Sequence, residues 1–142
     1  PPESDLSGYK GPLGTLNYEK HFTLPDSFQK ENEKVILHFE AVDQFCDVYL
    51  NDTFLMHHEG GYLPFSCDIS ELLKEENTLK VIAVDDLDLF YPYGKQSAKP
   101  SGMWYTPVSG IWQSVWIESY DKNGIEYDAK QFPDCAHCEH CH

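Results

Sequence analysis

Positive charge is scarce in this chain. Ten Lys and Arg residues face 24 Asp and Glu residues, for a net charge of −14 over 142 residues. An acidic surface repels phosphate backbones and anionic lipids, so neither nucleic acid nor a membrane is expected as a partner. Long apolar runs are also missing, which excludes a helical membrane span. Cysteine is too sparse in the body of the chain for a disulfide framework: Cys46 and Cys67 stand singly in strand-like segments, where a thiol behaves as a small hydrophobe. The start at Pro1-Pro2 has neither an initiator Met nor a leader pattern, and is expected to be a processed or truncated terminus. Repeats and low-complexity linkers are absent as well. Residues 1–125 are therefore expected to form one domain, with a Cys/His-rich tail over 126–142 outside it.

Helical periodicity is confined to one turn, and what is present is strand signal. Residues 34–40 alternate clearly, placing Val35, Leu37 and Phe39 on one face. Residues 77–84 do the same with Leu79, Val81 and Ala83, and residues 17–24 alternate more weakly before Pro25. Asn51-Asp52-Thr53 is a turn signal between residues 46–50 and 54–56, which predicts a hairpin. Gly60-Gly61 punctuates the chain, and residues 63–69 form another short strand. Ser70 is the candidate cap of the single helical turn over 70–74. Six or seven strands with one such turn predict an all-β fold, an antiparallel β-sandwich or jelly roll.

All three tryptophans fall within residues 101–118, SGMWYTPVSGIWQSVWIE. Trp104 and Tyr105 precede a turn rich in Pro, Ser and Gly, and residues 111–117 read as one aromatic and β-branched strand. A rigid turn bearing aromatic faces suits a flat apolar ligand face. For Ile111, Val115, Trp112 and Trp116, filling the sandwich core is the preferred reading. Residues 86–100, DLDLFYPYGKQSAKP, break the strand rhythm just before this segment, and a functional loop and a plain surface excursion both fit them.

Taken together, HFTLPDSF, VILHFEAVDQFCDVYLND, HEGGYLPFSCDISELL, NTLKVIAVDD, YGKQ and GMWYTPVSGIWQSVWIE resemble the N-terminal sugar-binding domain of family-two glycoside hydrolases, the β-galactosidase and β-glucuronidase family. The similarity runs over residues 2–120 in order and spacing. It implies a jelly roll of the galactose-binding type, normally followed by an immunoglobulin-like sandwich and a catalytic barrel. The family hydrolyses β-glycosidic bonds with retention, through two barrel glutamates whose carboxyls sit about 5–5.5 Å apart. Those glutamates have no counterpart here, so this chain alone is expected to be inactive as an enzyme, and the missing catalytic domain of a parent enzyme is an expected partner.

The resemblance further implies a sugar-facing site. Its members place an Asp just before the aromatic pair, and the matching position here is Gly102, so that acceptor cannot be carried over and the identity of the sugar is open. Candidate carbohydrate contacts are Trp104 and Tyr105, with Lys95 and Gln96 as donors to hydroxyls. A solvated loop lysine and a tryptophan packed against a neighbouring domain are the competing readings. One or two strands usually precede the segment PPES, so the jelly roll is expected to lack its first strand or strands. The sheet edge thereby uncovered predicts a homo-oligomer, a strand exchange or a rearranged terminus. A β-sandwich interaction module without sugar affinity is the alternative function.

The tail matches nothing in the family. Cys135, Cys138 and Cys141 interleave with His137, His140 and His142, and thiolate with imidazole is the ligand set of zinc, with Cys135, Cys138, Cys141 and His137 as the tetrahedral candidates. Structural zinc sites usually join two separated segments, and an artificial, out-of-frame or disordered end is the preferred reading of this contiguous one. No other cofactor is expected. Asp85, Asp86 and Asp88 lack the spacing of a calcium loop and read as a solvated acidic turn. His57 and His58, adjacent on a strand, should point to opposite faces and share no ion.

Overall fold

Two-residue alternation decides the architecture. In the computed structural model, which describes residues 14–25, 28, 33–86, 90–92, 94–97, 99, 101–105 and 107–121, the segment carrying Val35, Leu37 and Phe39 is a strand with those three side chains buried. In chain order the strands are β1 (Gly14–Phe22), β2 (Glu33–Phe39), β3 (Val42–Asp43), β4 (Phe45–Leu50), β5 (Thr53–Glu59), β6 (Phe65–Asp68), β7 (Asn77–Asp85), β8 (Gly110–Ile111) and β9 (Val115–Asp121). Every pairing between them is antiparallel. They form a four-stranded sheet ordered β1-β7-β4-β5, a three-stranded sheet β6-β2-β9 and a small β3-β8 ribbon. No α-helix occurs among the described residues.

The core lies between the two larger sheets. Val35, Leu37 and Phe39 of β2 meet Cys46, Val48 and Leu50 of β4 and Val81 and Ala83 of β7, with Ile69 closing one end. Burying each large side chain in this cluster stabilises the fold by about 1.5–3 kcal/mol. Phe39 stacks on Phe65 at 4.7 Å, which joins β6 to the same layer.

The predicted hairpin is β4–β5. Leu50 pairs with Thr53, and both turn residues, Asn51 and Asp52, have positive φ, 51° and 65°. That is the geometry of a two-residue turn whose twist matches its strands, and Asn tolerates it better than most residues. Asn51 also acts as a clamp. Its side-chain amide donates to Leu72 O at 2.7 Å and Asn77 Oδ1 at 3.0 Å, and its carbonyl accepts from Thr78 N at 3.0 Å.

Three expectations are corrected. Residues 111–117 are not one strand: β8 pairs with β3 and β9 with β2, so the chain changes sheet across Trp112–Ser114. The break is stabilised locally, since Trp112 Nε1 donates to Gly61 O at 2.8 Å and Ser114 exchanges backbone and side-chain bonds with Glu40. Nor do the tryptophans of this segment fill the core. Ile111 and Val115 pack on the core, whereas Trp112 and Trp116 remain 38% and 40% exposed. Trp116 instead lies outside the three-stranded sheet, stacked on His38 with ring centroids 4.9 Å apart. Ser70, finally, is not the cap of its helical turn, a 3₁₀ turn over Ser70–Leu72 that begins after Ile69. Its backbone N–H and hydroxyl donate to Asp68 Oδ1, and its oxygen accepts from Val35 N at 2.8 Å, which anchors the turn to β2. The expected loss of a strand ahead of Pro1 and the expected domain boundary at 125 both lie outside the described residues.

Candidate functional site

Above one end of the sandwich, the segment between β7 and β8 folds back on itself. Gln96 and Tyr105 form a parallel bridge; Tyr105 N donates to Lys95 O at 2.8 Å, and Ser97 N donates to Tyr105 O at 3.0 Å. Ser101 O accepts from Trp104 N at 3.3 Å, which closes a turn that presents the aromatic pair. The structure therefore brings Lys95, Gln96, Trp104 and Tyr105 together. Trp104 is 46% and Tyr105 67% exposed, and Lys95 is exposed beside them. Gln96 is turned partly inward, its side-chain carbonyl accepting from Val108 N, while its amide N–H₂ is a donor suited to a ligand hydroxyl. At Gly102 nothing lies within 4 Å of where a side chain would begin, so the carboxylate absent there leaves open space.

Two further aromatic residues extend this rim. Tyr62 meets Trp112 edge-on with centroids 5.9 Å apart, and its hydroxyl lies 3.9 Å from where a Cβ on Gly94 would stand. Trp112, expected in the core, thus belongs to the exposed rim, and Tyr62 was not singled out by sequence reasoning. The signal available was Gly60-Gly61 directly before it. Gly61 is buried against Asp43, whose Oδ1 would stand 2.1 Å from any Cβ added there. Tyr91 of the same long segment is held edge-on against Phe45 at 4.9 Å.

Beneath the rim lies a buried polar cluster. Asp43 and Asp85 are only 6% and 5% exposed, and Gln44 and Ser109 are buried with them. Ser109 Oγ donates to Asp85 Oδ2 at 2.6 Å. Burial, and then the charge of Asp85, pushes the Asp43 carboxyl up to about 6. Asp85 is thus no part of a solvated acidic turn, which corrects that expectation; Asp86 is exposed, and Asp88 lies outside the described residues. Both carboxyls are closed off from a ligand the size of a sugar.

The histidine pair behaves as its alternation requires. His57 lies on the outer face, its Nδ1 2.6 Å from Asp47 Oδ1 and its Nε2 3.5 Å from Glu59. His58 turns inward, bonds Gly60 O at 3.1 Å and stacks on Phe65, and burial holds its pKa below the ordinary imidazole value. Cys46 and Cys67 are free, and burial raises their thiols to about 12 and about 11, the charges of Asp47 and Asp68 adding to this. Among the described residues no group of three or more His, Cys, Asp or Glu side chains is arranged to hold a metal. The zinc candidates Cys135, Cys138, Cys141 and His137 lie outside the described residues.

Flat aromatic faces next to an ammonium and an amide donor are suited to a ring that bears hydroxyls on its edge and C–H bonds on its face. The family described as glycosyl hydrolase 2 galactose-binding domain-like matches residues 14–107. A β-galactosidase of Thermoanaerobacter pseudethanolicus is 34% identical over 111 residues, which is 77% of this chain and 14% of that protein. A β-glucuronidase of Formosa agariphila is 32% identical over 110 residues, 76% of this chain and 11% of that protein. The crystal structure of a β-glycosidase from Bacteroides vulgatus superposes with a TM-score of 0.60 at 30% identity, covering 78% of this chain and 13% of that one. The chain thus spans about a seventh or less of the length of these proteins.

Proposed function

The chain belongs to the family of glycosyl hydrolase 2 galactose-binding-like domains, and from that premise we propose that it is a non-catalytic carbohydrate-binding and assembly domain of a retaining β-glycosidase of the β-galactosidase or β-glucuronidase type. Its part is to line the rim of a substrate site and to pack against the portion of the enzyme that performs hydrolysis. One observation carries the reading. The Gln96–Tyr105 bridge holds Trp104 and Tyr105 exposed beside Lys95, on a backbone fixed by hydrogen bonds rather than on a loose loop. Tyr105 and Trp104 supply faces for the C–H side of a pyranose, while Lys95 Nζ and the Gln96 amide donate to its hydroxyls.

The test is titration calorimetry of the chain with galactose, glucuronate and mannose, repeated with Trp104→Ala. Heat of binding with at least one sugar, lost in the variant, is the expected result. An absence of binding to all three sinks the sugar-facing half of the reading. In that event the interaction module remains, and one observation favours it: Phe90 and Met103 are 92% and 70% exposed, apolar surface that a sugar hydroxyl cannot use but another protein surface can. On either outcome an aryl β-galactoside or β-glucuronide is expected to show no turnover with this chain alone, since the acids Asp43 and Asp85 are buried, only 6% and 5% exposed, and so are not available to a substrate as a catalytic pair.

A further inference from the structure

We propose that the outer face of the three-stranded sheet carries a further binding site, in which the open side of the Trp116 indole and the Glu118 carboxylate hold a small quaternary ammonium ion of the choline type. Trp116 stands opposite His38 in the β2–β9 pairing, and Glu118 follows two residues later, so both project from the same face of β9. The rings of Trp116 and His38 are nearly parallel, 10° apart in plane with centroids at 4.9 Å. His38 thus covers the side of the indole that faces β2. The other side looks away from the sheet, because β9 is the edge of the order β6-β2-β9 and no described strand lies beyond it.

This ring is prepared for a ligand before one arrives. Trp116 is 40% exposed, yet it is stacked on a side chain that is itself only 23% exposed, so little rotamer freedom is left to lose on docking. The charge beside it is negative. The Glu118 carboxylate is 45% exposed, and among the described residues no hydrogen bond engages it. Its one basic neighbour within 4 Å is His38 Nε2, which at 3.7 Å lies beyond hydrogen-bond reach and has no hydrogen-bond partner of its own. On the other flank Glu40 brings its carboxylate to Ser114 N at 3.2 Å, two residues before Trp116. Lys34, the lysine of this face, stands opposite Tyr120, four residues further along β9.

These features select the ligand. A cation over the indole is drawn to the negative face of the ring and to Glu118 together, and the charge of −14 enriches cations around the whole molecule. A hydroxylated sugar gains from neither, and an acidic one is repelled. A methylated ammonium suits the open ring better than a bare one, since its methyl groups pack on the indole and it gives up less hydration. A protein partner fits poorly: the apolar surface here is one ring with carboxylates on both flanks, whereas the core of a protein interface is depleted in charge.

The experiment titrates the full chain with choline, with 3,3-dimethylbutan-1-ol, which has the same shape and a neutral carbon in place of the nitrogen, and with ethanolamine, which carries a primary ammonium. Proton–nitrogen NMR follows the indole N–H signals of Trp104, Trp112 and Trp116, each assigned by its Trp→Phe variant. Choline is expected to move the Trp116 signal saturably, about tenfold more tightly than the neutral analogue, with ethanolamine between them. Glu118→Gln should weaken choline binding roughly threefold to fivefold at low ionic strength, and added salt should bring the wild type toward the variant. Equal affinity for the neutral analogue, tighter binding of ethanolamine, or a Trp116 signal unmoved by choline overturns the proposal. So does a Trp104 signal that moves with the same midpoint, which would put the cation at the rim instead. If Glu118→Gln does not fold, the comparison of choline with its neutral analogue on the wild type decides. No probe is a sugar, and Trp104→Ala should bind choline as the wild type does, so this site and the carbohydrate reading fail independently.

Discussion

Asp43 and Gly61 are a matched pair in which a buried carboxyl occupies the space that any larger residue at 61 would need. A Cβ there would stand 2.1 Å from Asp43 Oδ1 and 2.7 Å from its Cγ, and a residue at the end of a short paired strand has little freedom to retreat. Gly61→Ala is therefore expected to cost about 1–3 kcal/mol, read as a lowered urea midpoint with unchanged slope. An unchanged midpoint would mean that the Asp43 side chain swings away freely. His58 gives the stability a pH dependence. Its folded pKa lies below the ordinary 6.5 because burial disfavours the imidazolium, so the unfolded chain binds the extra proton. The stabilisation is complete above 6.5 and is lost as pH falls through the lower folded value. Replacing His58 with Gln should remove a loss of stability on acidification, and a wild-type acid limb that survives the replacement would assign that limb to other groups.

At the scale of elements, the β4–β5 hairpin shows how much a turn can hold. Asn51→Ala removes the donor to Leu72 O and Asn77 Oδ1 and the acceptor for Thr78 N, and places Ala at a φ of 51°. About 2–4 kcal/mol of lost stability is expected, with Asn51→Gly recovering only the backbone share. Equal losses for Ala and Gly would show that conformation contributes nothing. This hairpin was legible in the sequence because its signal is local: a turn dipeptide between two apolar runs. The alternation in β2 was legible for the same reason, since Val35, Leu37 and Phe39 face one layer throughout. What stayed hidden depends on distant partners. Residues 111–117 have strand composition along their whole length, yet β8 and β9 join different sheets because β3 and β2 are their respective neighbours. Trp112 and Trp116 have the composition of core residues, but their exposure is decided by Tyr62, Gly61 and His38, which lie far away along the chain. Of the candidate site, Lys95, Gln96, Trp104 and Tyr105 were all reached from the sequence, whereas the buried acids beneath them were not, because β3 is only two residues long and carries no periodicity.

The whole molecule carries a charge of −14, and that field acts on every ligand before any side chain touches it. Galactose is neutral and feels no such field, while glucuronate brings a carboxylate that does. Lys95 offers local attraction at the rim, but one exposed ammonium is screened by solvent and stands against the excess of acids over the entire surface. Glucuronate is thus expected to bind more weakly than galactose at low ionic strength. The gap should narrow as salt rises toward physiological levels, where the screening length shortens from roughly 30 Å to about 8 Å. Calorimetric titration of both sugars across that range of salt measures the difference directly. Tighter binding of glucuronate at low salt would show that Lys95 outweighs the net charge, and would turn the preference of the rim toward acidic sugars.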